Sequence, residues 1–94
     1  MVIITNDERA FIWWRGSRER GQILVSTNPP TMTYLTRHNL GCHHISGSPK
    51  NGDNWTTHQS KICSEQGAEI EEWVHRTFGL NAEIHECLDC RSLQ

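Results

Sequence analysis

The stretch KICSEQGAEIEEWVHRTFG, residues 61–79, contains the clearest helix of this 94-residue chain together with one of its four cysteines. Its apolar residues recur at i, i+3, i+4 and i+8, the spacing of a helix that packs one face against a core. They are Ile70, Trp73, Val74 and Phe78. Ser64 is a candidate N-cap, and Gly79 is a typical stop signal. We therefore predict a short strand that ends at Cys63 and leads into this helix.

A second helix and a pair of strands are predicted earlier in the chain. Thr5-Asn6-Asp7-Glu8 has the pattern of a capping box, which predicts a helix over residues 6–18. The β-branched and apolar run of residues 22–27 predicts a strand. Asn28-Pro29-Pro30 ends this strand, because proline cannot donate a hydrogen bond to a sheet. Residues 31–38 have strand propensity and predict its hairpin partner.

The rest of the chain predicts a loop and a last strand. Residues 46–60 are rich in turn-forming residues and predict an exposed loop. Within this loop, Trp55 either folds back onto the core or stays exposed for contact. Residues 80–86 predict a strand that leads into a Cys-x-x-Cys pair.

Length and composition predict a single small domain with a sparse core. A chain of 94 residues is too short to divide into two cores, so residues 1–94 are expected to form one domain. Only 35% of the residues are hydrophobic, and the net charge is -2. Four Trp residues supplement the core, which argues against disorder. A core this small gains from a further cross-link or a metal.

The cysteines supply that stabilising element. They are Cys42, Cys63, Cys87 and Cys90. Four cysteines allow two disulfides in three connectivities. However, the N-terminus turns acidic within eight residues and lacks the features of a signal peptide. The chain also has no run of about 18 apolar residues that would span a membrane. We therefore expect a cytoplasmic protein, in which a Cys-x-x-Cys pair with two further cysteines indicates a metal site.

Zn²⁺ is the expected cofactor, because thiolates are its preferred ligands in structural sites. The favoured ligand set is the four cysteines. His38 precedes Cys42 by four positions and is the alternative ligand in its place, which would give a Cys₃His site. Apparent binding free energies of structural zinc are about 10–16 kcal/mol, comparable to the whole stability of a domain. The expected fold is α+β: a small zinc-ribbon-like domain with two helices and a short, mainly antiparallel sheet.

Basic residues are concentrated in the first part of the chain. Residues 1–41 carry five Arg against three acidic residues, whereas residues 42–94 carry four basic and eight acidic residues. Arg15, Arg18 and Arg20 follow or flank Trp13, and this combination is typical of surfaces that contact phosphates and stack on bases. At least one residue of the Trp13-Trp14 pair is expected in the core. These residues are the candidate nucleic-acid-binding site.

The cysteine pattern resembles a small uncharacterised zinc-binding module of actinobacterial proteins. The shared features are Tyr34-Leu35 before His38-x₃-Cys42, then Lys61-x-Cys63 and a terminal Cys87-x-x-Cys90. The resemblance covers most of the chain. That module occurs alone or beside HNH-type nuclease domains, which implies contact with DNA or RNA or with a nuclease partner protein. A weaker similarity of Cys87-x-x-Cys90 points to the zinc domain of alkylation-repair regulators, which accepts a methyl group.

The expected function is therefore a structural-zinc binding module that contacts nucleic acid or a protein that processes it. A protein–protein adaptor without nucleic-acid binding is the alternative. A small hydrolase would need an acid or base such as His43, His44 or His58, but their spacing matches no catalytic motif. A site closed by four cysteines also lacks the open position of a catalytic zinc. Binding is thus expected rather than catalysis.

Overall fold

The computed structural model describes residues 1–42, 44–45 and 55–91, and of residues 90 and 91 it describes the backbone. The described residues form five strands and three helices. The strands are β1 (Val2–Ile4), β2 (Gln22–Thr27), β3 (Thr36–Asn39), β4 (Gln59–Ser64) and β5 (His85–Glu86). The helices are α1 (Glu8–Gly16), α2 (Gly67–Phe78) and the four-residue α3 (Leu88–Arg91). The α+β class, with two principal helices and a mainly antiparallel sheet, is confirmed.

The strands form one sheet in the order β1-β4-β2-β3-β5. All neighbours are antiparallel except β3 and β5, which run parallel. In the middle of the sheet Ile23 pairs with Cys63 on one side and with His38 on the other. This register places the three side chains on the same face of the sheet, because paired residues point the same way.

One helix covers each face of the sheet. Phe11 and Trp14 of α1 pack with Ile23 and Cys63 in the first core cluster. Ile70 and Val74 of α2 pack on the other face in a second cluster, whose remaining buried members are Leu24, Leu35, Ile62 and Ala82. Both helices bury one stripe and expose the other, as their apolar spacing requires. The α1 face also holds Cys42 and Cys87.

The start of α1 differs from the predicted capping box. Asp7 is the N-cap, and its carboxylate accepts a hydrogen bond from the Ala10 N–H. The Thr5 hydroxyl instead bonds to Ser60 Oγ at 2.8 Å. The Glu8 carboxylate reaches across to residues 55–56, where it accepts hydrogen bonds from both backbone N–H groups. The Thr5 hydroxyl and the Glu8 carboxylate, which the local pattern assigned to the cap, therefore make tertiary contacts instead.

The C-terminal end of α2 is the predicted one, whereas the prediction of Ser64 as its N-cap is wrong. The helix ends at Gly79, whose N–H bonds to His75 O and whose φ of 99° suits a residue without a side chain. Gln66 is the N-cap, while Ser64 Oγ accepts from the Gln66 N–H and donates to Glu69. Trp55 folds back onto the core and is only 7% exposed. The predicted loop over residues 46–60 otherwise lies largely outside the described residues, and its last two residues begin β4.

The sequence did not predict where the two edge strands, β1 and β5, begin and end. β1 was not predicted, and the strand expected over residues 80–86 is reduced to two residues. The strand predicted over residues 31–38 begins only at Thr36. No helix within the described part of the chain is long and apolar enough to cross a membrane.

Candidate metal centre

Backbone hydrogen bonds bring three potential metal ligands together beside β3. His38 lies within β3. A tight turn follows, in which the Cys42 N–H bonds to Asn39 O at 2.9 Å, and it returns Cys42 toward the strand. Cys87 directly follows β5, and its N–H bonds to Arg37 O at 3.0 Å. The parallel β3–β5 pairing therefore places Cys87 next to His38.

The ligand atoms of these three residues form a compact, buried group. His38 Nδ1 is 3.6 Å from Cys42 Sγ, and Cys42 Sγ is 3.9 Å from Cys87 Sγ. All three ligand atoms lie within 4.8 Å of one another. The residues are 9%, 1% and 8% exposed, in that order. The structure thus contains a His/Cys cluster that could hold a metal ion.

These separations agree with the edges of a zinc tetrahedron. Zn–S bonds of about 2.3 Å and Zn–N bonds of about 2.05 Å imply S···S edges of about 3.8 Å and S···N edges of about 3.6 Å. The observed 3.9 Å and 3.6 Å are close to these values. These two pairs of ligand atoms would therefore need little movement to bind the ion.

His38 is in the protonation state that a metal requires. Burial lowers its pKa to about 4, and the nearby His44 and Lys61 act in the same direction. The ring is therefore neutral at pH 7. Neutral imidazole is the form of histidine that ligates metals.

Cys63 lies apart from this group. It is on β4, and Ile23 of β2 stands between it and His38. Two strand spacings separate Cys63 from β3 by about 10 Å. It is fully buried among apolar side chains, and this burial raises its pKa to about 12. Cys63 is therefore a protonated thiol packed in the core.

Cys90 is the fourth predicted cysteine. Its backbone belongs to α3, three residues after Cys87, and its side chain lies outside the described residues. The catalytic candidate His43 is also outside them, and His58 is exposed.

A second group of potential ligands shares Cys87 with the first. His44 Nε2, Asp89 Oδ2 and Cys87 Sγ lie within 4.8 Å of one another. His44 and Asp89 are hydrogen-bonded at 2.6 Å, and their side chains are 34% and 55% exposed. Neither residue was a predicted ligand. In the sequence, only their positions close to Cys42 and Cys87 could have indicated that they are potential ligands.

The predicted nucleic-acid-binding residues fall into two groups: two arginines that bond to other residues of the fold, and two residues that are exposed. Arg15 donates to Ile45 O at 2.7 Å and lies over the rings of Phe11 and Trp55, so its charge is used inside the fold. Arg18 is also held, since it donates to Trp14 O and Ser17 Oγ. The other two predicted residues are the ones whose side chains are exposed and can contact a partner.

Those two residues are Trp13 and Arg20. Trp13 is 67% exposed, whereas its neighbour Trp14 is buried. The Arg18 guanidinium lies 5.5 Å from the Trp13 ring centroid and 4.6 Å from that of Trp14. Arg20 is exposed beside a groove of about 350 Å³ that Gln22 and Asn39 also line.

No protein-family model, curated protein or solved structure matches this chain. The resemblance to the actinobacterial module remains a prediction.

Proposed function

We propose that the protein is a zinc-binding module whose ion has a structural role. The observation behind the proposal is the buried group of His38, Cys42 and Cys87. Its His38 Nδ1–Cys42 Sγ and Cys42 Sγ–Cys87 Sγ distances match two edges of a zinc tetrahedron, and all three ligand atoms lie within 4.8 Å of one another. Cys90 is the proposed fourth ligand, because a Cys-x-x-Cys pair can ligate from one turn. This set replaces Cys63 by the alternative ligand His38 and gives a Cys₃His site.

The ion would fasten the C-terminal segment to the sheet. β5 has only two residues and pairs with β3 alone among the described strands. A bond network from His38 and Cys42 to Cys87 would hold this segment more firmly than two residues of pairing do. Structural zinc contributes apparent free energies of about 10–16 kcal/mol in small domains.

Removal of the metal tests this role. Purified protein is expected to contain one zinc ion per chain and to lose fixed tertiary structure when a strong chelator is added. Near-ultraviolet circular dichroism reports that loss, since Phe11, Trp14 and Trp55 all belong to the metal-side cluster. Protein that contains no zinc, or that keeps its spectrum after the metal is removed, would contradict the proposal.

We further propose that α1 contacts single-stranded DNA or RNA through Trp13. An exposed indole with an adjacent guanidinium is suited to stack on a base, and such stacking is worth about 1–3 kcal/mol per base. Arg20 supplies a charge for a phosphate near the end of this helix. With a net charge of -2 and Arg20 as the one phosphate contact, binding is expected to be weak and to fall only gradually with salt.

Fluorescence anisotropy of a short labelled single-stranded DNA tests this contact. Trp13→Ala should weaken binding about tenfold, within the range for one lost stack. Ile12→Ala is the matched control, because Ile12 is an adjacent apolar residue of α1 that is 47% exposed. Absence of wild-type binding at low salt would refute nucleic-acid contact and favour a protein adaptor.

A further inference from the structure

We infer that the exposed residues His44 and Asp89 form a transient metal subsite through which the ion reaches and leaves the buried site. The inference rests on the proposed zinc function and extends it to metal exchange. The observation behind it is that the Cys87 sulfur belongs to both ligand groups.

The residues that the two groups do not share differ sharply in access to water. Cys42 is 1% exposed and His38 is 9% exposed, so a hydrated ion cannot reach all three buried ligands at once. The His44 and Asp89 side chains are 34% and 55% exposed. An arriving ion would therefore meet these two residues first, and would then reach Cys87, which is 8% exposed and is shared with the buried group. It would then lose its water in steps as it passes to His38 and Cys42.

The geometry of the outer pair also indicates a weak site. The edge between a nitrogen and an oxygen ligand of zinc is about 3.4 Å, from bond lengths of about 2.05 and 2.1 Å. His44 Nε2 and Asp89 Oδ2 are 2.6 Å apart, a hydrogen-bond distance. Binding an ion between them requires this bond to open. In the inner group two of the ligand separations already match zinc edges, so an ion would be more stable there and would only pass through the outer group.

Kinetics distinguish this relay from a role in holding Cys87 in place. A residue that provides a path changes the binding and release rates by the same factor, so the dissociation constant does not change. A residue that only orients a ligand stabilises the bound ion, and its loss would weaken affinity by about 10–100-fold and speed release.

The test uses zinc-loaded protein and the chromogenic chelator pyridylazoresorcinol. Stopped-flow absorbance at several chelator concentrations gives the release rate, and equilibrium competition gives the dissociation constant. The variants His44→Gln and Asp89→Asn keep the size and polarity of the side chains while weakening metal binding. His75→Gln is the matched control, because His75 is an exposed histidine of α2 outside both ligand groups.

The relay predicts that each variant slows release by about tenfold, with the dissociation constant unchanged. His75→Gln should release zinc at the wild-type rate. Faster release with weaker affinity would overturn the relay and assign His44 and Asp89 to the orientation of Cys87. Unchanged rates in both variants would also overturn it. Either result leaves the structural zinc site intact, whereas wild-type protein without bound zinc would refute both proposals.

Discussion

Replacement of Cys63 by alanine separates core packing from metal binding. Cys63 is fully buried, and Cys42, at 1% exposure, belongs to the same core cluster. Cys→Ala removes one sulfur atom at either position, so the packing cost should be similar. From the free energy of burying a group of this size and the small cavity left behind, that cost is about 1–2 kcal/mol.

The two variants should differ in the metal contribution. Cys42→Ala removes one ligand of four, and a quarter of about 10–16 kcal/mol adds roughly 3–4 kcal/mol to the packing cost. Cys63→Ala should lose none of this contribution, because Ile23 stands between Cys63 and the ligand group. The total of roughly 4–6 kcal/mol for Cys42→Ala approaches the whole stability of many domains.

Urea unfolding in the presence of excess zinc, together with the zinc content of the purified variants, measures both contributions. Cys63→Ala should retain one zinc ion per chain with a modest loss of the free energy of unfolding. Cys42→Ala should lose zinc or fail to fold. A Cys63→Ala protein that folds but contains no zinc would refute the assignment of Cys63 to the core.

Three further predictions concern stability. Burial lowers the pKa of Lys61 from 10.5 to about 8, so between these values the unfolded chain binds a proton that the folded chain does not. The free energy of unfolding of the wild type should therefore rise with pH across this window by up to about 3 kcal/mol relative to Lys61→Met, as measured by urea unfolding. Arg37→Gln should cost about 1.5–3 kcal/mol in the same assay, because it removes charged hydrogen bonds to Glu86 and Glu71. Trp14→Ala should cost about 3–5 kcal/mol, whereas the exposed Trp13→Ala should change stability by less than about 0.5 kcal/mol. Equal costs at the two tryptophans would contradict the orientation of α1.

The elements that the sequence predicted best are those whose own residues specify them. β2 has the predicted limits because its β-branched run is flanked by a glycine and two prolines. α2 follows from its apolar spacing and from Gly79. β1 and β5 are three and two residues long and carry almost no pattern, since pairing with a neighbour defines them.

The candidate site depended on strand order, which the sequence does not contain. Cys42 and Cys87 were predicted ligands and His38 was the alternative, and the structure brings these three together. Cys63 is separated from them because β4 pairs with β2 on the side away from β3. From residue type alone, Cys63 and Cys42 were equally good candidate ligands.

Charge patterns were similarly ambiguous at the sequence level. Arg15 and Arg18 belonged to a cluster typical of phosphate contacts, but their guanidinium groups bind carbonyls and lie over rings of the same chain. The sequence alone does not distinguish an arginine that supports the fold from one that faces a partner.

X-ray absorption spectroscopy of the zinc-loaded wild-type protein tests the proposed ligand set most directly, because it reports the number and type of atoms bound to the metal. A site of His38, Cys42, Cys87 and Cys90 predicts three sulfur ligands at about 2.3 Å and one nitrogen at about 2.05 Å. A first shell of four sulfurs would contradict this assignment and place Cys63 in the site in place of His38.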